Sequence, residues 1–316
     1  MLQLNKGGEK MITVLLATYN GSEHIRAQID SLLSQTYTDF KIVIRDDGSS
    51  DQTPVIIAEL AEKYPEKISV ITGEPTRSAC GNFSKLFEAV DDDYIMFCDQ
   101  DDVWLPEKIE KTLAAMKAAE AKNPGSPVLV HSDLRVVDGA LNTICESFFE
   151  FQQVPQHKVT LSRLLVQNYV TGCTMMINRP LKTLCGAVPP ECAMHDWWIA
   201  LVCALFGEIV CIKEPLMLYR QHGGNQVGAK AAKGIGFVKR KLQTLDRVRD
   251  NYTATYVQAK ILLERYGEQL SNKDKDILEA YCSMTQKNKL QKIKLLRKYD
   301  FRKSTTIRVI GQYFLM

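Results

Sequence analysis

The sequence predicts an α/β fold, a mainly parallel sheet with helices on both faces, followed by a basic helical extension. Three observations predict it. Short apolar, β-branched runs alternate with segments of helical periodicity from residue 11 to residue 122. Three polar loops, Thr18-Tyr19-Asn20-Gly21, Asp46-Asp47-Gly48-Ser49-Ser50-Asp51 and Asp99-Gln100-Asp101-Asp102, each follow the end of such a run. The charge then reverses: residues 1–229 hold 20 Lys and Arg against 29 Asp and Glu, whereas residues 230–316 hold 20 against 8. An α/β body over 1–229 and a basic helical extension over 230–316 are therefore expected.

Taken in order, Met11–Ala17 reads as a first strand and Ile25, Ile29, Leu32 and Leu33 mark the apolar face of a helix. Lys41–Arg45 is the second strand, and Pro54 opens the next helix. Ile68–Ile71 is a third strand, Phe83–Val90 a helix and Tyr94–Cys98 a fourth, fully apolar strand. Glu107–Lys122 is helical, and a Pro/Gly turn leads to a strand over Val128–His131. Residues 132–160 carry no clear pattern. Leu161–Gln167 reads as helix, Gly172–Asn178 as strand, Asp196–Phe206 as an apolar helix and Ile209–Ile212 as strand.

Composition narrows the function classes. With 45% hydrophobic and 24% charged residues, disorder, collagen and coiled coil are excluded. A net charge of +3 is too even for a nucleic-acid binder. Nine cysteines without CxxC spacing indicate neither a disulfide framework nor a zinc ribbon, which makes a reducing, cytoplasmic setting the simplest expectation. No run reaches the ~18 apolar residues of a membrane span, and the first ten residues lack the apolar core of a signal peptide. The body is thus expected to be neither exported nor membrane-spanning.

In a parallel sheet, ligands bind beyond the carboxyl ends of the strands, where loops meet helix N-termini. The three polar loops should share one crevice there. They carry six carboxylates, Asp46, Asp47, Asp51, Asp99, Asp101 and Asp102, which would raise one another's pKa unless a cation or donors compensated them. Oxygen ligands suit Mn²⁺ or Mg²⁺, and such a site binds a metal–diphosphate more naturally than a bare ion. Either acidic loop alone could simply cap a helix; the conjunction with the first loop favours a ligand site.

The segments ATYNG, DDGSSDQT and FCDQDDVWLPEKI resemble the signature of inverting family 2 glycosyltransferases with the GT-A fold, a Rossmann-like architecture. The resemblance covers roughly residues 11–225, and DQDDVW, TGCTMMINR, HDWW and YRQHGGN are most similar to bacterial rhamnosyltransferase-like members. It implies a nucleotide-diphosphate sugar donor, for which dTDP-L-rhamnose is the expectation, and a glycan or polyprenyl-linked acceptor in cell-surface polysaccharide synthesis. Thr18, Tyr19 and Asn20 would form the donor loop, with Tyr19 stacking on the base and Asp47 accepting from its ring NH. Asn82 in Gly81-Asn82-Phe83 would be a further donor contact. Asp99 would bind the ribose hydroxyls. Asp101 and His222 would hold the Mn²⁺ or Mg²⁺, with Gly223 and Gly224 as a hinge. Asp196 in HDWW would be the catalytic base, and Trp197 would stack on the acceptor. Cys173 reads as a small buried residue.

Two other readings compete. A nucleotidyltransferase would need a basic, glycine-rich loop after the first strand, but no Lys or Arg follows it before Arg26. A nucleotide-sugar-binding module without glycosyl transfer would not need Asp47, Asp99, Asp101 and Asp196 together. Over Gln286–Met316, apolar and cationic residues alternate at helical spacing, which suits an anionic membrane surface at the inner face of the cell membrane. Packing on the body or in a homo-oligomer is the alternative. Interleaved aromatic platforms for nucleic acid are absent from this stretch.

Overall fold

The computed structural model describes residues 10–154, 159–221 and 245–315. Strands β1 (Ile12–Thr18), β2 (Phe40–Asp46), β3 (Ile68–Ile71) and β4 (Tyr94–Asp99) pair in parallel in the order β3-β2-β1-β4. Helices α1 (Ile25–Leu33), α2 (Thr53–Lys63) and α3 (Ala79–Ala89) make the crossovers. β1 is buried along its length because alternate side chains enter two cores. Val14 and Leu16 join Ile25 and Ile29 of α1, whereas Leu15 and Ala17 join Phe83 and Leu86 of α3. Helices thus cover both faces, as the alternating pattern predicts.

Beyond β4 come β5 (Val103–Trp104), α4 (Lys108–Lys122), β6 (Val128–Val137), β7 (Thr143–Cys145), α5 (Phe148–Gln152), α6 (Leu161–Leu164), β8 (Met176–Asn178), α7 (Arg179–Cys185), α8 (His195–Phe206) and β9 (Glu208–Arg220). Here the sheet becomes mixed. β8 lies antiparallel between β4 and β6, β6 and β9 run parallel, and β5 closes the edge antiparallel to β9. This reversal positions the site. With Met96 opposite Met176, β8 starts where β4 ends, so the 3-10 turn Gly172–Thr174 abuts Asp99. The carboxyl end of β9 brings Arg220 to the same edge.

Several boundaries differ from expectation. The predicted strand over 172–178 is a 3-10 turn followed by three strand residues, and the helix over 161–167 stops at Leu164. α3 starts at Ala79 because Ser78 caps it, accepting from the Gly81 amide at 3.0 Å. β9 spans 13 residues although Pro215 interrupts its pattern; the ladder to β6 shifts register opposite that proline, which lacks an amide hydrogen.

The extension is helical, as expected: α9 (Leu245–Tyr266), α10 (Asn272–Ser283), α11 (Lys289–Lys298) and α12 (Thr306–Leu315). Its apolar residues share one core with the body. Leu262, Tyr266, Leu278, Tyr281, Leu296 and Phe301 pack in the same cluster as Cys185, Trp198 and Leu201. Arg163 pairs with Asp300 at 2.9 Å, and Arg308 donates to the Gln152 side chain at 2.6 Å. Lys287, Lys289, Lys294, Arg297 and Lys298 face outward, with Leu290 exposed among them and Ile307 and Ile310 exposed on α12.

Candidate active site

The three loops meet at one edge of the sheet, tied by hydrogen bonds. The first grips the second: the Asn20 amide donates to Ser49 Oγ at 2.7 Å, Gly21 to Thr53 Oγ1 at 2.8 Å and Ser22 to Asp51 at 3.1 Å. It grips the third through Gln100, which accepts from the Tyr19 amide at 2.8 Å and donates to the Tyr19 carbonyl at 2.9 Å. A Cβ at Gly21 would lie 2.2 Å from Gln100 Oε1, so a side chain there would displace Gln100 from Tyr19. Asn20 adopts a left-handed φ of 48°, which turns the chain so that the Tyr19 ring stands 56% exposed.

Beneath that ring lies a buried polar network. Arg45 donates to Asp47 at 2.8 Å and to Asn82 Oδ1 at 2.9 Å, while the Thr76 amide donates to Asp47 at 2.7 Å. These donors hold the Asp47 carboxyl below the usual range despite its burial, so it is ionised at neutral pH. Asn82 donates to the Thr18 and Arg45 carbonyls at 3.1 and 3.2 Å. Its carboxamide is engaged within the fold: Asn82 is buried and fixes the ends of β1 and β2. Thr18 is likewise turned inward, its hydroxyl on Asp46 at 2.8 Å.

The third loop forms the acidic floor. Ligand atoms of Asp99, Asp102 and Cys173 all lie within 4.8 Å of one another. Burial and the neighbouring Asp101 and Asp196 push Asp99 up to about 7. Asp102 is raised further by burial and by Asp101 and Asp99; its Oδ1 accepts from the Arg220 amide at 3.2 Å and its buried Oδ2 has no hydrogen-bond partner among the described residues. Lys108 is buried behind them, 4.5 Å above the Trp104 ring, and burial lowers it to about 8. Crowded carboxylates with an orphaned oxygen fit a divalent cation. Burial keeps the Cys173 thiol protonated, so the oxygens of the loop are the natural ligands for a hard ion. Asp101, the expected ligand, lies close enough to raise both neighbours but is not one of the three clustered groups. His222, Gly223 and Gly224 fall outside the described residues.

Asp196 faces this floor from the first turn of α8. Met194 is the cap, so Asp196 sits one residue inside the helix rather than capping it. Its Oδ2 accepts from the Gly172 amide at 3.0 Å, Oδ1 has no partner among the described residues, and burial pushes the carboxyl up to about 7. His195 beside it stacks against Phe83 and Phe97, at 4.3 and 5.3 Å, and is held neutral by burial. Trp197 donates to the Leu164 carbonyl at 2.6 Å and is half-buried; Trp198 is wholly buried under the Arg265 guanidinium, 5.0 Å from its ring. Helix α9 braces the approach to Asp196: Gln258 accepts from the Ala193 amide at 3.4 Å, Arg265 donates to the Cys185 and Ala187 carbonyls at 3.1 and 2.9 Å, and Tyr266 donates to Leu184 at 2.8 Å.

Sequence reasoning placed Asp102 in the acidic crevice without giving it a role of its own, read Cys173 only as a small buried residue, and assigned nothing to Gln100 or Arg220. Arg220 donates to the Asp101 carbonyl at 2.8 Å, clamping the third loop. Only Asp102 had a signal, its place in the acidic run; the others acquire their roles through the antiparallel β8 and the long β9.

Residues 13–183 match the model of glycosyl transferase family 2. The dTDP-rhamnosyl transferase RfbG of Shigella flexneri is 31% identical over 250 residues, covering 72% of this chain and 80% of that protein. The uncharacterized glycosyltransferase alr2836 of Nostoc sp. is 29% identical over 221 residues; the match takes in 68% of this chain and 66% of that relative, just under two thirds of its length. Among solved structures, the mannosyltransferase PcManGT of Pyrobaculum calidifontis, in complex with GDP-Man and Mn²⁺, superposes with a TM-score of 0.53 at 17% identity over 90% of this chain and 73% of that one. The shared architecture is the GT-A fold.

Proposed function

Because the chain belongs to glycosyl transferase family 2, we propose that it transfers a sugar from a nucleotide-diphosphate donor to a hydroxyl of a cell-surface polysaccharide or lipid-linked glycan, with inversion. The observation that carries this reading is a buried carboxyl, Asp196, held through Oδ2 by the Gly172 amide, pushed up to about 7 by burial and set against the acidic floor of Asp99, Asp101 and Asp102. A group with that pKa at neutral pH suits general-base work. Asp196 Oδ1 would take the proton of the acceptor hydroxyl while Gly172 holds Oδ2 in place. The exposed Tyr19 ring would stack on the base, the ionised Asp47 would accept from its ring NH, and Asp99 would bind the ribose. Mn²⁺ or Mg²⁺, held by oxygens of Asp101 and its neighbours with His222 as the further ligand, would neutralise charge on the departing diphosphate. Trp197 would line the acceptor side.

RfbG makes dTDP-L-rhamnose the first donor to test. A panel of dTDP-, UDP- and GDP-sugars is scored for thermal stabilisation with and without Mn²⁺, and for product. The expected result is one donor that stabilises the protein with Mn²⁺ and loses that effect in Asp101→Ala. Stabilisation without any transfer to glycan acceptors would favour a binding module instead, and formation of nucleotide sugar from sugar phosphate would favour a nucleotidyltransferase.

The extension would place the enzyme on the inner face of the membrane. The exposed lysines and Leu290 of α11, with the exposed Ile307 and Ile310 of α12, support this reading. No helix among the described residues is long and apolar enough to cross a membrane, so contact would be peripheral. Changing Lys289, Lys294 and Arg297 to Glu should release the folded protein from anionic vesicles. Retention with an altered sedimentation mass would assign the surface to a homo-oligomer.

A further inference from the structure

All nine cysteines are free, and most are deeply buried. One pair differs. Cys80, in the first turn of α3, is half-buried and meets Cys192, in the turn that Cys192 closes on the Pro189 carbonyl, with sulfurs 3.7 Å apart. The two residues are 112 positions apart, one in α3 and the other in the turn that leads into α8. Cys80 lies two residues before Asn82, which fixes the donor loops, and Cys192 lies four residues before Asp196.

We propose that Cys80 and Cys192 form a thiol–disulfide site that a small-molecule disulfide closes reversibly, stapling α3 to the segment that leads into the base. Position favours the chemistry. A thiol at a helix N-terminus is activated as thiolate. The contact with Cys192 lowers the Cys80 thiol from its usual range, and Cys80 is the half-buried member of the pair while Cys192 is buried. Cys80 is therefore the attacking sulfur and Cys192 the resolving one. The Cys80 thiolate displaces one thiolate from the small disulfide and forms a mixed disulfide. Cys192 then attacks Cys80 Sγ, expelling the second thiolate. Two protein thiols are oxidised, one disulfide is reduced to two thiols, and the two protein protons pass to those thiols.

Closing the sulfurs from 3.7 Å to a bond of about 2.05 Å draws the turn before α8 toward α3. The consequence for turnover rests on Asp196 being the base; the covalent step does not. The full chain is incubated with glutathione disulfide, its remaining thiols are alkylated, and its peptides are mapped by mass. The expected result is a linked Cys80–Cys192 peptide that dithiothreitol reverses, with Cys192→Ser instead retaining glutathione on Cys80. Alkylation of both residues, a persistent mixed disulfide in the wild type, or a link between other cysteines would overturn the site. With the link confirmed, transfer should fall at least severalfold on oxidation in the wild type and stay constant in Cys80→Ser, which forms neither the link nor the adduct. An unchanged rate in the linked wild type would remove the lock from the proposal.

Discussion

Replacing Asp196 with Asn tests the proposed chemistry most directly. Asparagine keeps an oxygen for the Gly172 amide and a similar volume, so the first turn of α8 should persist. What disappears is the ability to take a proton. Positioned general bases contribute roughly 100- to 10,000-fold in rate, about 3–5 kcal/mol of barrier. The pH profile supplies an independent measure. Burial raises this carboxyl from 3.8 to about 7, so its proton is lost only as the pH climbs through 7. At pH 6 about one tenth of the molecules carry the base form, and the rate at pH 6 should be about tenfold below that at pH 8. Initial transfer rates from pH 5.5 to 8.5 at saturating donor, with donor affinity measured by calorimetry, provide both numbers. The expected variant binds donor normally, is slow, and has lost the limb near 7. A variant within tenfold of the wild type, or a wild-type rate that is flat across this range, would refute the assignment.

Three further outcomes follow from the geometry. Asp99 has its folded pKa raised to about 7, so the stability it contributes is present below pH ~4 and is lost as pH rises through 7. Asp99→Asn in metal-free buffer should therefore match the wild type in acid and melt several degrees higher at pH 8; equal melting at pH 8 would mean that the carboxylate is already compensated. Gly21→Ala puts a methyl against Gln100, so donor affinity should drop severalfold while the melting temperature changes little; unchanged affinity would free Tyr19 from any dependence on Gln100. Phe301→Ala, at a wholly buried position shared by body and extension, should cost about 3–5 kcal/mol in denaturant unfolding, and a loss below 1 kcal/mol would show that the extension does not support the core.

Much of this architecture is legible in the linear pattern because its cause is local. A run such as Tyr94–Cys98 that is apolar at every position can only be a strand covered on both sides, and the acidic residues that end it must emerge at the strand's carboxyl end. Asp196 is legible for the same reason, standing in the first turn of a continuous apolar helix. What is hidden is fixed by pairing between distant segments. Nothing near Cys173 announces that β8 runs against β4 and delivers it to Asp99. Nor does the stretch around Asn82 announce the buried Arg45 that occupies it, 37 residues away. Pro215 misleads in the other direction: it suggests a break, yet a register shift lets β9 continue to Arg220.

The brace that α9 applies to residues 184–193 has a consequence for recombining such enzymes. The family match ends at residue 183, while the helix bearing Asp196 and the α9 residues that brace the segment before it lie downstream. A chimera that imports another enzyme's acceptor half at that junction must import the terminal helices with it. Grafted without Gln258, Arg265 and Tyr266, the foreign segment would arrive with its carboxylate unsupported, and exchange of sugar preference would fail for mechanical rather than chemical reasons.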